Sequence, residues 1–179
     1  MKTKQATEYV LLGALCSDPK HGYEIIQFLE SALESTWQVS TSQLYLLLKR
    51  LEHNGLLKSN LQEQQMRPSK RVFSLTSKGK KAFLDWLRSP VESVRDLRIE
   101  FLAKIFFFHS FSLKGGNDLV NAQIARLEEI KTKLQKKNKR ESDSFRKLVF
   151  ESKLMAVESW REWLQKKVKP FLGRVRTHD

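Results

Sequence analysis

Between residues 40 and 76 the chain gathers side chains suited to recognising a polyanion rather than breaking a bond. Ser42, Gln43, Tyr45 and Lys49 stand close together on a segment with helical apolar spacing, and Arg67, Lys70 and Arg71 follow on a polar stretch. Hydroxyl and amide groups can read base edges, and glutamine can pair with adenine through two hydrogen bonds. Tyr45 and Lys49 can meet phosphates or base edges, while Arg67, Lys70 and Arg71 can hold the flanking backbone. Each role has a plainer alternative. Tyr45 could pack between helices, Lys49 and Arg50 could form a solvated face, and Arg71 could be a strand residue paired with a nearby acid.

The other reactive side chains suggest no catalytic chemistry. Cys16 and His21 are close in sequence, but no second His or Cys pair completes a metal site. His53 and His109 read as structural or exposed residues. Gly115-Gly116 lacks the strand, loop and lysine of a phosphate-binding loop, and no Ser/His/Asp spacing suggests a nucleophile. The sequence therefore predicts no enzyme, no cofactor and no metal.

Helices and a hairpin must position the polyanion-reading set. Residues 7–16 form an apolar helical run that Ser17-Asp18-Pro19 stops, since proline lacks an N–H and restricts its predecessor. His21-Gly22-Tyr23 opens a second helix with Ile25, Ile26, Phe28, Leu29, Ala32 and Leu33, ending before Trp37. Ser40, Thr41 or Ser42 caps a third helix, which buries Leu44, Leu47, Leu48 and Leu51 and ends at Asn54-Gly55. Residues 56–62 and 70–75 read as strands around a loop at 63–69, with Arg67 and Lys70 near its tip and Arg71 at its base. Thr76-Ser77 caps a fourth helix over 78–87. Three helices, two strands and a helix in that order make a winged helix-turn-helix.

The same residues carry a resemblance. Tyr9 with Leu11-Leu12, then Pro19, His21-Gly22-Tyr23-Glu24, Ser42-Gln43-Leu44-Tyr45, Leu48-Lys49-Arg50-Leu51-Glu52 and Gly55-Leu56 come in order. Arg67-Pro68, Lys70-Arg71, Phe73, Leu75-Thr76 and Gly79 complete the set. Together they resemble the PadR family of bacterial transcriptional regulators over roughly residues 5–88. Phe73 stands where that family commonly has tyrosine, and Thr41-Ser42 where its helix entry is often Pro-Gly. The resemblance implies a DNA-binding regulator, usually a repressor, with a C-terminal helical domain for dimerisation.

After Ser89-Pro90 no strand signal recurs. Residues 96–108 are apolar nearly all round, which predicts a buried helix. Asn117 or Asp118, after Gly115-Gly116, caps a helix to about Arg140, with Val120, Leu127 and Leu134 a heptad apart. Residues 131–140 are a basic run at its solvated end, and 142–168 form a last helix with more apolar residues than one face holds. A monomer would leave much of this in water, so a homodimer is expected. Its two recognition helices would suit a pseudo-palindromic operator. Phe106, Trp160 and Trp163, with Phe107 and Phe108, could line a pocket for a small aromatic or lipophilic effector, or simply form core.

The expected fold is mostly α with a small β-wing. Residues 1–88 form the winged helix-turn-helix DNA-binding domain and 89–179 an α-helical dimerisation arm. Composition agrees: 33 basic against 20 acidic side chains give a formal charge of +13, spread over both halves, which favours a polyanion partner. A single cysteine and no signal-peptide pattern fit the reducing cytoplasm, and the apolar stretch near 101–111 is too short and charged to span a bilayer. Double-stranded DNA and a second copy of the chain are the expected partners. The competing reading is a winged-helix scaffold whose arm docks another protein without DNA binding.

Overall fold

The computed structural model describes residues 2–33, 37–64 and 67–173, and for 2–5, 63–64 and 67–68 the backbone alone. It divides into two compact units, Met1–Leu87 and Arg88–Asp179. Both are mainly helical, and the only sheet among the described residues lies in the first.

In the first unit α1 (Lys2–Ala14) starts well before the expected residue 7 and buries Val10, Leu11, Leu12 and Ala14. A two-residue strand, β1 (Lys20–His21), then precedes α2 (Gly22–Leu33). That strand is absent from the sequence reading, because two residues carry no alternation. A capping box starts α2: Glu24 Oε2 accepts from the His21 N–H at 2.8 Å, and the Glu24 N–H faces His21 Nδ1 at 3.4 Å. Ile25, Leu29 and Leu33, one turn apart, form its buried stripe.

Of the three capping candidates for α3 (Thr41–His53), Ser40 does the work, its hydroxyl accepting from the Gln43 N–H at 3.3 Å. The helix ends in a Schellman motif: Leu56 N–H donates to Leu51 O, Gly55 N–H donates to Glu52 O, and Gly55 takes φ +69°. The wing is β2 (Leu57–Gln64) and β3 (Arg67–Leu75), antiparallel, in a sheet of order β1-β3-β2. The register runs from Leu57 opposite Leu75 to Gln62 opposite Lys70, then slips so that Gln64 faces Arg67. The expected loop at 63–69 is therefore mostly strand. Pro68 falls in that slip, where the register gives it no partner on β2, and β1 pairs with β3 only at Val72 and Phe73.

Thr76 caps α4 (Ser77–Arg88), accepting from the Gly79 N–H at 3.0 Å while its own hydroxyl faces the Gly55 and Leu56 carbonyls. Phe83, Trp86 and Leu87 close the core, and Trp86 stacks on Tyr9 with centroids 5.4 Å apart.

In the second unit the helix expected at 96–108 is broken in two. A 3₁₀ turn (Val94–Arg98) passes through Ile99, at φ −124°, into α5 (Glu100–Ser110). As expected, α5 is largely buried, including Lys104. The Lys104 ammonium donates to Ser89 O at 2.8 Å and pairs with Glu100 at 3.1 Å; burial pushes its pKa below the ordinary lysine value. The buried Gln123 side chain accepts from the Val91 N–H at 2.7 Å and donates to Val91 O at 3.2 Å. Two polar side chains thus tie residues 89–91 to this unit.

The cap of α6 (Gly116–Arg140) is Gly115, at φ +102°, and not Asn117 or Asp118. A left-handed residue turns the chain into the helix, leaving Asp118 in the first turn to face the positive end of the dipole. Helix α7 (Ser144–Trp163) returns antiparallel, with Lys131 facing Glu158 and Glu128 facing Arg161. A π segment (Leu164–Val168) and α8 (Lys169–Gly173) follow. No helix of the described residues is long and apolar enough to cross a membrane.

Candidate nucleic-acid interface

The polar face of α3 follows from its leucines. Leu44, Leu47, Leu48 and Leu51 are at most 1 % exposed, which turns Ser42, Tyr45, Leu46, Lys49, Arg50 and His53 outward. These outward positions recur three and four residues apart, so they form one continuous surface. Gln43 is half-buried at its margin. Lys49 is exposed, and no ion pair holds it among the described residues. Arg50 is paired with Glu8 of α1.

Tyr45 is half-exposed yet anchored. A Cβ built on Gly22 would lie 2.5 Å from the Tyr45 hydroxyl and 2.8 Å from Cζ. The ring therefore seats directly over the first residue of α2, which explains glycine between His21 and Tyr23. The packing alternative for Tyr45 holds in part: one end of the ring is docked while the rest faces solvent.

On the wing, Arg71 is committed to a neighbour. Its Nε donates to Ser59 Oγ at 2.7 Å and an Nη to Glu52 Oε2 at 2.6 Å, while the Ser59 hydroxyl donates to Glu52 Oε1 at 2.6 Å. The closed triangle joins the end of α3 to both wing strands. The Ser59 hydrogen bond, and then the Arg71 charge, hold the Glu52 carboxyl below its ordinary pKa. The nearby acid that the sequence left open is Glu52. Lys70 is half-buried, its Nζ 3.4 Å from His21 Nε2, so the wing, β1 and the start of α2 meet there. The Arg67 side chain lies outside the described residues.

The predicted effector residues fall in the second unit. Trp160 and Trp163 meet edge to face at 5.4 Å, and Phe106 meets Phe107 in the same manner at 5.3 Å; all but the buried Phe107 are half-buried. A cleft of about 640 Å³ lies elsewhere, in the first unit, lined by Ile26, Leu29, Glu30, Trp37, Gln38, Val39 and Ser40. No cluster of three His, Cys, Asp or Glu suited to a metal occurs among the described residues.

Sequence reasoning missed Leu46, which the run Leu46-Leu47-Leu48 hides, though it falls off the buried 44/47/48/51 spacing. It also missed the Arg50–Glu8 pair, which no local spacing signals.

A capped helix with a polar outer face, braced by two helices and followed by a basic two-stranded hairpin, defines a winged helix-turn-helix unit. Residues 11–85 match the model of the transcriptional regulator PadR-like family. Over 158 residues the chain is 30 % identical to the negative transcriptional regulator PadR of Bacillus subtilis, covering 85 % of this chain and 80 % of that protein. The chain belongs to the PadR-like family of transcriptional regulators, and is a regulator rather than an enzyme. The crystal structure of B. subtilis PadR in complex with operator DNA is 26 % identical, with a TM-score of 0.45 over 94 % of this chain and 98 % of that one. A structure of the same protein in complex with p-coumaric acid has a TM-score of 0.40, at 26 % identity, over 95 % and 98 % of the two chains.

Proposed function

We propose that this regulator is a repressor that binds a pseudo-palindromic operator as a homodimer, reading bases with α3 and gripping phosphates with the wing. The observation that carries this reading is the outward face of α3, where Ser42, Tyr45 and Lys49 stand on a helix whose opposite side is fully buried. Ser42 and Gln43 lie in its first turn, the part that reaches base edges in such units. Lys49, Lys70 and Arg67 supply phosphate contacts, and Arg71 sets the wing against α3. Repression is supported by the relative named as a negative regulator.

Residues 1–88 then serve as the DNA-binding domain and 89–179 as the dimerisation arm. Support for the arm is a stripe on α7: Phe145, Leu148 and Met155 are 69 %, 60 % and 74 % exposed in a single chain. An aromatic or lipophilic effector at Phe106, Trp160 and Trp163 belongs to the same proposal, since their half-buried rings leave faces for a ligand. Titration of tryptophan fluorescence with phenolic and lipophilic compounds tests it.

The scaffold alternative draws on two leucines on the same surfaces, Leu46 and Leu61, which are 65 % and 68 % exposed. A gel shift with the DNA upstream of the chain's own gene separates the two. Binding that weakens steeply with salt supports the repressor; no binding at low salt supports the scaffold.

A further inference from the structure

Leu46 is the one aliphatic side chain on the outer face of α3, and the buried side of the helix does not need it. The buried stripe is complete without it, in Leu44, Leu47, Leu48 and Leu51. Leu46 is 65 % exposed, one turn beyond Ser42 and just short of Lys49. It sits in the first half of the helix, beside the positions that reach base edges in such units. Leucine neither donates nor accepts, so it can take no part in hydrogen-bond readout. The major groove does offer an apolar group, the C5 methyl of thymine.

We infer that Leu46 is a specificity-determining residue that packs against a thymine methyl in each half-site. The inference rests on the DNA-binding reading above and adds a base identity to it. Polar neighbours fix the helix in the groove, and Lys49, one turn on, holds its register on the phosphates. The leucine then discriminates by one methyl group. Removing a methyl from an apolar contact weakens binding by about three- to fivefold.

The full chain selects its sites from a library of random-sequence duplexes. A selected duplex is resynthesised with each thymine replaced singly by deoxyuracil, which removes only the C5 methyl. At one or two thymines per half-site, uracil should weaken the wild type about three- to fivefold, whereas Leu46→Ala binds the two duplexes equally. Because Leu46 is exposed, the variant should melt with the wild type. The inference is overturned if no thymine recurs in the selected half-sites. It is equally overturned if no uracil weakens binding, or if Leu46→Ala keeps the full uracil effect. Failure of the DNA-binding reading looks different: no duplex is selected even at low salt, and the inference falls with it.

Discussion

Arg71 of the wing and Glu52 of α3 are joined at 2.6 Å, with Ser59 hydrogen-bonded to both. The pair fixes the angle between the two elements proposed to meet DNA. A phosphate would have to compete with that carboxylate for the Arg71 guanidinium. Lys49 makes no such pair among the described residues. Arg71→Ala should therefore lower the salt slope of DNA binding by well under one unit, and Lys49→Ala by about one unit. Affinity at a single salt concentration should fall for both. Anisotropy titrations across a salt series check this, and equal slopes for Arg71→Ala and Lys49→Ala would show that the pair opens on DNA.

The same pair makes the wing sensitive to acid. The Ser59 hydrogen bond, followed by the Arg71 charge, holds Glu52 below its ordinary value of 4.5. A depressed carboxylate contributes stability that is present above the ordinary value and lost as pH falls through the folded one. Stability should thus decline below pH 4.5, and Glu52→Gln should flatten that part of the profile. Urea unfolding of both proteins at neutral and acid pH measures the difference.

Much of this interface is legible in sequence because it is local. The 44/47/48/51 spacing, the serine before it and Asn54-Gly55 after it set α3, its buried side and its ends within one stretch of chain. What is illegible depends on distant partners. β1 exists only because Lys20 and His21 meet Phe73 and Val72. Pro68 looks like a breaker until the β2/β3 register is seen to slip around it. Arg71 reads equally well as a phosphate contact or an ion-pair partner until the register places it beside Ser59 and Glu52. The cap at Gly115 is a different case: its two glycines mark the break, but residue type alone does not say which one turns left-handed.

Two glycines should respond oppositely to alanine. At Gly79 a Cβ would lie 2.0 Å from the Leu56 carbonyl oxygen, a backbone atom that cannot yield. Gly79→Ala should cost at least about 2–3 kcal/mol, read by thermal unfolding. At Gly22 the obstacle is the far end of the Tyr45 side chain, which can swing away. Gly22→Ala should change stability little yet weaken DNA binding by displacing the ring. With Tyr45→Ala already in place, it should add almost no further loss.

The second unit has a corresponding polar tie. Gln123 satisfies both backbone groups of Val91 in a buried setting. Gln123→Leu keeps the volume but strands an N–H and a carbonyl, each costing about 1–3 kcal/mol. Urea unfolding should show that loss. Gln123→Glu can still accept from the Val91 N–H but places a carboxylate against the carbonyl, so it should not restore stability.

The α7 stripe yields the test of the arm. Phe145, Leu148 and Met155 lie three and seven residues apart, so they share one face of the helix, and all three are exposed in the single chain. Burying such a face against a second copy would remove three large side chains from water, each worth about 1.5–3 kcal/mol when fully covered. Leu148→Glu with Met155→Glu would place charge in that contact while leaving the buried Val157 in place. Sedimentation should find the wild type dimeric and the double variant monomeric, with an unchanged melting profile at low concentration. Operator affinity should then fall by far more than for any single wing substitution, because a monomer grips one half-site and loses the second. A wild type that sediments as a monomer at all concentrations would leave the stripe to a different protein.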